Sequence, residues 1–167
     1  MKYSFLPLAV ALVIFSCKEQ NNNQEARLIT INKSWLDSII KASDSSYTKP
    51  YKRTDFVYAD FYTNIKDSSV CQVMKDSAGN IRQVLIARNN IRTFFAQYYT
   101  NGQLQADLRM DEFGQYNDSA TYYFQSGQIE STGNYSHGIK TGQWKNFNEK
   151  GKLVSTDHYD DNGQVIK

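Results

Sequence analysis

The chain has 167 residues, enough for one domain or for one domain on a tether. Its 19 Lys and Arg residues nearly balance its 17 Asp and Glu residues, so the formal net charge is +2. Nucleic-acid binding needs a concentrated basic surface, and this balance argues against a nucleic-acid partner. With 40% hydrophobic and 22% charged residues, the composition is typical of a folded chain.

The N-terminus has the pattern of an export signal. Lys2 precedes an apolar segment, Phe5 to Phe15, that is too short to span a bilayer. Residues Ile14-Phe15-Ser16-Cys17 resemble the lipobox of bacterial lipoproteins. This resemblance implies that residues 1–16 are a signal peptide and that Cys17 is acylated with palmitate-type chains. The protein would then be anchored in a lipid bilayer of the cell envelope, with the outer membrane as the expected location. An ordinary secreted protein cleaved nearby and a short buried helix are the alternatives.

Residues 17–26 are predicted to be a flexible linker, because residues 18–25 (KEQNNNQE) are polar throughout. If Cys17 carries lipid, Cys71 has no partner for an intramolecular disulfide. Cys71 lies in an apolar, strand-like run and is interpreted as a small buried hydrophobe.

Residues 27–93 are predicted to form lead-in strands and one short helix, continuous with a sheet. The helix is expected from Trp35 to about Ala42, with Ser34 as its N-cap. Residues 43–46 have the composition of a loop. Strands are predicted at residues 27–31, 56–65, 70–74 and 81–87, with a hairpin turn at residues 76–80.

Residues 94–167 are repetitive. Four segments place an aromatic residue four positions before a glycine, followed by Gln or Lys and an aliphatic residue. Each glycine is expected at a turn with positive φ, and each aromatic is expected to pack across the hairpin from the aliphatic residue. The segments are Tyr98…Gly102-Gln103-Leu104, Tyr123…Gly127-Gln128-Ile129, Phe147…Gly151-Lys152-Leu153 and Tyr159…Gly163-Gln164-Val165.

The segment Gly133 to Leu153, with Gly133-Asn134-Tyr135 and Gly142-Gln143-Trp144 before Phe147…Gly151-Lys152-Leu153, resembles the variant MORN repeat. The resemblance extends over about residues 94–167. It implies a mainly β fold, an antiparallel array of hairpins preceded by a short α-helix and lead-in strands, and a role in association. Some bacterial members carry an antitoxin-type label, so a protein-neutralising module is one alternative function.

No motif for a nucleophile, a phosphate or a metal is found, so no catalytic residue, metal ligand or cofactor is predicted. His137 and His158 are interpreted as surface residues, and the acidic segment 157–162 as turn chemistry. The predicted function is non-catalytic binding or scaffolding of a protein or glycan in the envelope. An envelope enzyme with an unrecognised site is the other alternative. The candidate binding or packing aromatics are Tyr98, Tyr123, Tyr135, Trp144, Phe147 and Tyr159.

Overall fold

The computed structural model describes residues 33–51 and 56–166, which form one helix and an antiparallel sheet of eleven strands. The strands lie side by side in chain order, so each pairs with its neighbours in sequence. The helix is α1 (Lys33–Lys41), and the strands are β1 (Ser45–Pro50), β2 (Tyr58–Asn64), β3 (Ser69–Lys75), β4 (Ile81–Arg88), β5 (Ile91–Tyr98), β6 (Leu104–Met110), β7 (Tyr116–Tyr123), β8 (Ile129–Ser136), β9 (Ile139–Phe147), β10 (Leu153–Tyr159) and β11 (Val165–Ile166).

The predicted fold class, a mainly β array of hairpins after a short helix, is confirmed. The helix prediction is wrong in detail: α1 is helical already at Lys33, so Ser34 lies inside it and is not the N-cap. The signal peptide, Cys17, the linker and the strand predicted at residues 27–31 lie outside the described residues.

Six of the turns share one construction, which explains why the strands follow one another so closely. In each, the N–H of a glycine donates to the carbonyl three residues earlier, and that glycine has φ between +73° and +88°. This geometry suits glycine because a Cβ atom disfavours positive φ. The turns are 76–79, 99–102, 111–114, 124–127, 148–151 and 160–163, and four of them begin with an Asp or Asn whose side chain accepts N–H groups of the same turn.

The loop predicted at residues 43–46 is wrong in its second half, because Ser45 and Ser46 belong to β1. All six residues of β1 pair with β2 despite the weak strand propensity of the sequence SSYTKP. Tyr47 stacks on Phe61 with ring centroids 4.8 Å apart, and Thr48 donates to the Asp60 carboxylate over 2.6 Å. Cross-strand partners therefore hold this edge strand.

The core is divided between the two faces of the sheet. On the helix face, Leu36 of α1 packs with Cys71, Val73, Val84 and other side chains of β3 to β5. On the opposite face, which we call the tryptophan face, a second buried cluster consists of Ala106, Leu108, Ala120 and Trp144. Each strand places alternate side chains on the two faces, so one sheet supports both clusters.

Candidate functional site on the tryptophan face

Trp144 is the centre of the tryptophan face, and it can lie there because residue 133 is glycine. The indole covers Gly133 so closely that a Cβ atom at that position would overlap three ring atoms. The indole N–H donates to the carbonyl of Asn134 over 3.0 Å, and only 1% of the residue is exposed. Trp144 is therefore a packing residue of the sheet, with almost no surface left for a ligand.

Three tyrosines surround the indole and form the outer surface of the cluster. The ring centroids of Tyr135, Tyr122 and Tyr159 lie 5.2, 6.2 and 6.5 Å from that of Trp144. The hydroxyls of Tyr122 and Tyr135 are 3.1 Å apart, and burial together with this hydrogen bond raises the pKa of Tyr122. The Nζ atom of Lys140 lies 4.1 Å from the indole centroid, within cation–π range. The cluster is thus a rigid aromatic block with a cationic edge.

A depression of about 220 Å³ with a mixed polar and apolar lining continues the same face toward the N-terminal strands. Phe95 and Tyr116 line the depression and also pack against the Trp144 cluster, so the two features are contiguous. In the described part of the chain α1 packs on the helix face, and no second layer covers this one. Other side chains lining the depression are Tyr51, Gln72, Met74, Gln83, Leu85, Arg92 and Met110.

The candidate aromatics predicted from sequence are divided between the two faces. In all four repeat segments the aromatic pairs across the hairpin with the aliphatic residue, as expected. Tyr98 packs in the helix-face cluster, whereas Tyr159 packs against Trp144. Tyr123 and Phe147 lie on the helix face, like Tyr98. Successive residues of a strand alternate between the two faces, and Tyr123 is one residue from Tyr122 and Phe147 three residues from Trp144, both of which lie on the tryptophan face.

Tyr159 lies on the opposite face of the sheet from the other three aromatics because its strand runs in the opposite direction. Tyr98, Tyr123 and Phe147 end strands β5, β7 and β9, which run the same way and turn at one edge of the sheet. Tyr159 ends β10, which runs the other way, so its turn at Gly163 lies at the opposite edge. The turn glycines Gly102, Gly127, Gly151 and Gly163 all have positive φ.

Two hydrogen bonds that link neighbouring turns were not predicted from the sequence. The hydroxyl of Tyr99 donates to the carbonyl of Tyr123 over 2.8 Å, and the amide of Asn101 donates to the carbonyl of Gln125 over 3.1 Å. Both bonds link residues 24 positions apart, so they join equivalent turns of successive hairpins. The repeat length in the sequence was the only signal that could have indicated them.

The polar groups considered as chemical candidates have structural partners. His137 Nδ1 lies 2.8 Å from Asp111 Oδ2, which joins two neighbouring turns, and Asp160 accepts two N–H groups of its own turn. Cys71 is buried, and burial raises the pKa of its thiol to about 12.

Within residues 33–51 and 56–166 no group of three or more His, Cys, Asp or Glu side chains could hold a metal ion. In the same ranges no helix is long and apolar enough to cross a bilayer.

Residues 119–137 and 140–161 match the MORN repeat variant. The matched segments run from β7 to β10 and contain Gly133, Trp144 and the three surrounding tyrosines. No curated protein matches the chain. This match supports a role in binding or scaffolding through repeats. Ala120 and Trp144 of the tryptophan-face cluster lie inside the matched segments, whereas Ala106 and Leu108 precede them.

Proposed function

We propose that this chain is a non-catalytic, lipid-anchored protein of the bacterial cell envelope, held in the outer membrane, that binds another envelope protein through its tryptophan face. The observation that carries the proposal is the continuous surface that runs from the depression at Phe95 and Tyr116, which has a mixed polar and apolar lining, to the tyrosines around Trp144. Surfaces that combine aromatic and polar side chains in this way are typical of interaction sites.

The chemistry of this surface favours a protein over a glycan. A sugar needs an open aromatic face, but the Trp144 ring lies against Gly133 on one side and has the Lys140 ammonium nearby. The depression instead offers Met110 and Leu85, both partly exposed, beside Gln and Arg side chains. Adaptable methionines with aromatic and arginine neighbours are enriched in protein interfaces.

Association without turnover is the simplest use of such a surface. The polar side chains Asp160, Asp111 and His137 form hydrogen bonds within and between turns, and the thiol of Cys71 is buried. A rigid block that keeps its shape loses little conformational entropy on binding, which favours affinity.

A charge placed in the depression should abolish binding. Met110→Lys puts a second cation into a lining that already contains Arg92, and we expect at least a tenfold loss of partner capture because no acidic side chain of the lining can pair with the desolvated charge. Thr156→Lys is the matched control, since Thr156 pairs with Lys145 on the other face. The readout is pull-down from envelope extract with the mature chain, with circular dichroism as a check of folding. Equal capture by the two variants would exclude the tryptophan face.

The anchor is tested separately by Cys17→Ser. Lipidation requires the thiol of Cys17, so this variant should lose palmitate labelling and globomycin-sensitive processing and appear in the soluble fraction. Cys71→Ser is the control and should be labelled like the unmodified chain. Unchanged labelling of Cys17→Ser would contradict the lipoprotein part of the proposal and leave the binding part standing.

A further inference from the structure

A second concave site lies on the helix face, away from the proposed protein-binding surface. Between α1 and the sheet is a cleft of about 400 Å³, within the size range of small-molecule sites. Leu36 and Ile40 of the helix form one wall, and Val73 and Ile81 of the sheet form the other. Asn80 and Gly102 also line the cleft, beside two of the glycine turns.

Two tyrosine hydroxyls in this cleft have no hydrogen-bond partner within residues 33–51 and 56–166. Tyr98 and Tyr62 both line it, and neither hydroxyl has a hydrogen-bond partner among the described residues. Burial raises the pKa of Tyr98 to about 12 and also raises that of Tyr62, so both remain protonated donors at neutral pH. Every fully buried side-chain oxygen or nitrogen in the described ranges has a hydrogen-bond partner. Since these two hydroxyls have none, they are not fully buried and remain accessible. A partly desolvated phenol without a partner is an incomplete site for an acceptor.

The one cation of the cleft is already neutralised. Lys75 Nζ lies 2.6 Å from Asp60 Oδ2, and this hydrogen bond is the main reason why the pKa of Lys75 is raised. Asp37 adds a carboxylate at the lining, so the cleft has no unbalanced positive charge to attract an anion. Desolvation between the apolar walls penalises an ion of either sign, because Lys75 is already paired with Asp60 and the Asp37 carboxylate is exposed to solvent. The cleft therefore favours a neutral ligand.

We propose that this cleft binds an uncharged amphiphile, whose alkyl chain packs between Leu36, Ile40 and Val73 and whose carbonyl or hydroxyl oxygen accepts a hydrogen bond from Tyr98. The site is independent of the tryptophan face, and its failure would leave the proposed function unaffected.

Three eight-carbon probes that share an alkyl chain and differ in the head group and its charge test the proposal: octanamide, octanoate and octylammonium. Binding to the full chain is measured by isothermal titration calorimetry and by methyl chemical shifts of the Leu, Ile and Val residues. We expect saturable binding of octanamide, with shifts at Leu36, Ile40 and Val73, and at least fivefold weaker binding of both ions. Tyr98→Phe keeps the ring and removes the donor, so it should weaken octanamide binding about threefold to tenfold, the range of one neutral hydrogen bond.

Tyr99→Phe is the matched control, because it removes a hydroxyl that is bonded to the Tyr123 carbonyl and does not line the cleft. It should leave octanamide affinity unchanged. Three results would overturn the proposal: no saturable octanamide binding, shifts confined to the tryptophan face, or equal effects of the two tyrosine variants. Tighter binding of octanoate than octanamide would show that the electrostatic argument is wrong.

Discussion

Glycine has two different functions at the scale of single residues in this sheet. At Gly102 the reason is backbone conformation, since φ is +83° and a Cβ atom would meet open space. At Gly133 the reason is volume, since the position of a Cβ atom is occupied by the Trp144 ring. The first kind was predicted from turn spacing, because a tight turn requires positive φ locally. The second depends on a contact between two strands, which the spacing alone does not reveal.

A pair of alanine variants separates these two functions. Gly133→Ala should destabilise the fold by about 1–3 kcal/mol through overpacking, and Gly102→Ala by about 1–2 kcal/mol through backbone strain. In a Trp144→Phe background the cost of Gly133→Ala should fall, because the smaller ring leaves room, while that of Gly102→Ala should stay the same. The measurement is urea denaturation of the four alanine variants and of their two parents, the unmodified chain and Trp144→Phe. Equal costs of Gly133→Ala in both backgrounds would refute the contact argument.

At the scale of elements, the predictions succeeded where the signal was local. Strands β3 and β4 were predicted from apolar runs around a glycine turn, and the repeat hairpins from their spacing. Strand β1 was missed because Ser45-Ser46-Tyr47 has no strand signal of its own and is held by Phe61 and Asp60 of the next strand. The face of the sheet on which Tyr159 lies was also not predicted, since it depends on the direction of β10.

The edge formed by β1 and β2 should weaken in acid. Burial alone would raise the pKa of Asp60, but its hydrogen bonds with Lys75 and Thr48 outweigh this and hold the pKa below its ordinary value of 3.8. A carboxyl with a lowered pKa stabilises the folded state above the unfolded-state value and loses that contribution as the pH falls through the folded-state value. We therefore expect part of the stability to be lost below pH 3.8.

The test compares the unmodified chain with Asp60→Asn by thermal unfolding between pH 2 and pH 6. The variant should be less stable near neutrality and show a shallower decrease in acid. Parallel curves for the two proteins would show that Asp60 does not contribute to the acid response.

At the scale of the whole molecule, the hydrophobic core changes sides along the sheet. The helix-face cluster lies mainly on β3 to β5, and the tryptophan-face cluster lies on β6 to β9. Strand β5 joins them, because Phe94 and Ala96 belong to the first cluster and Phe95 packs against the second. Detachment of β5 from the sheet would therefore expose side chains of both clusters.

The two tryptophans of the chain allow this coupling to be tested, since Trp35 packs against the helix-face cluster and Trp144 lies in the other. Trp35→Phe leaves only Trp144 as a fluorophore, and Trp144→Phe leaves only Trp35. Within each variant we expect the fluorescence transition in urea to coincide with the far-ultraviolet circular dichroism transition, because coincident probes are the mark of two-state unfolding. The alternative for a repeat array is independent unfolding of its ends, since contacts are mostly between neighbouring strands. In that case the fluorescence midpoint would separate from the dichroism midpoint in at least one variant, and the joining role of β5 would be wrong.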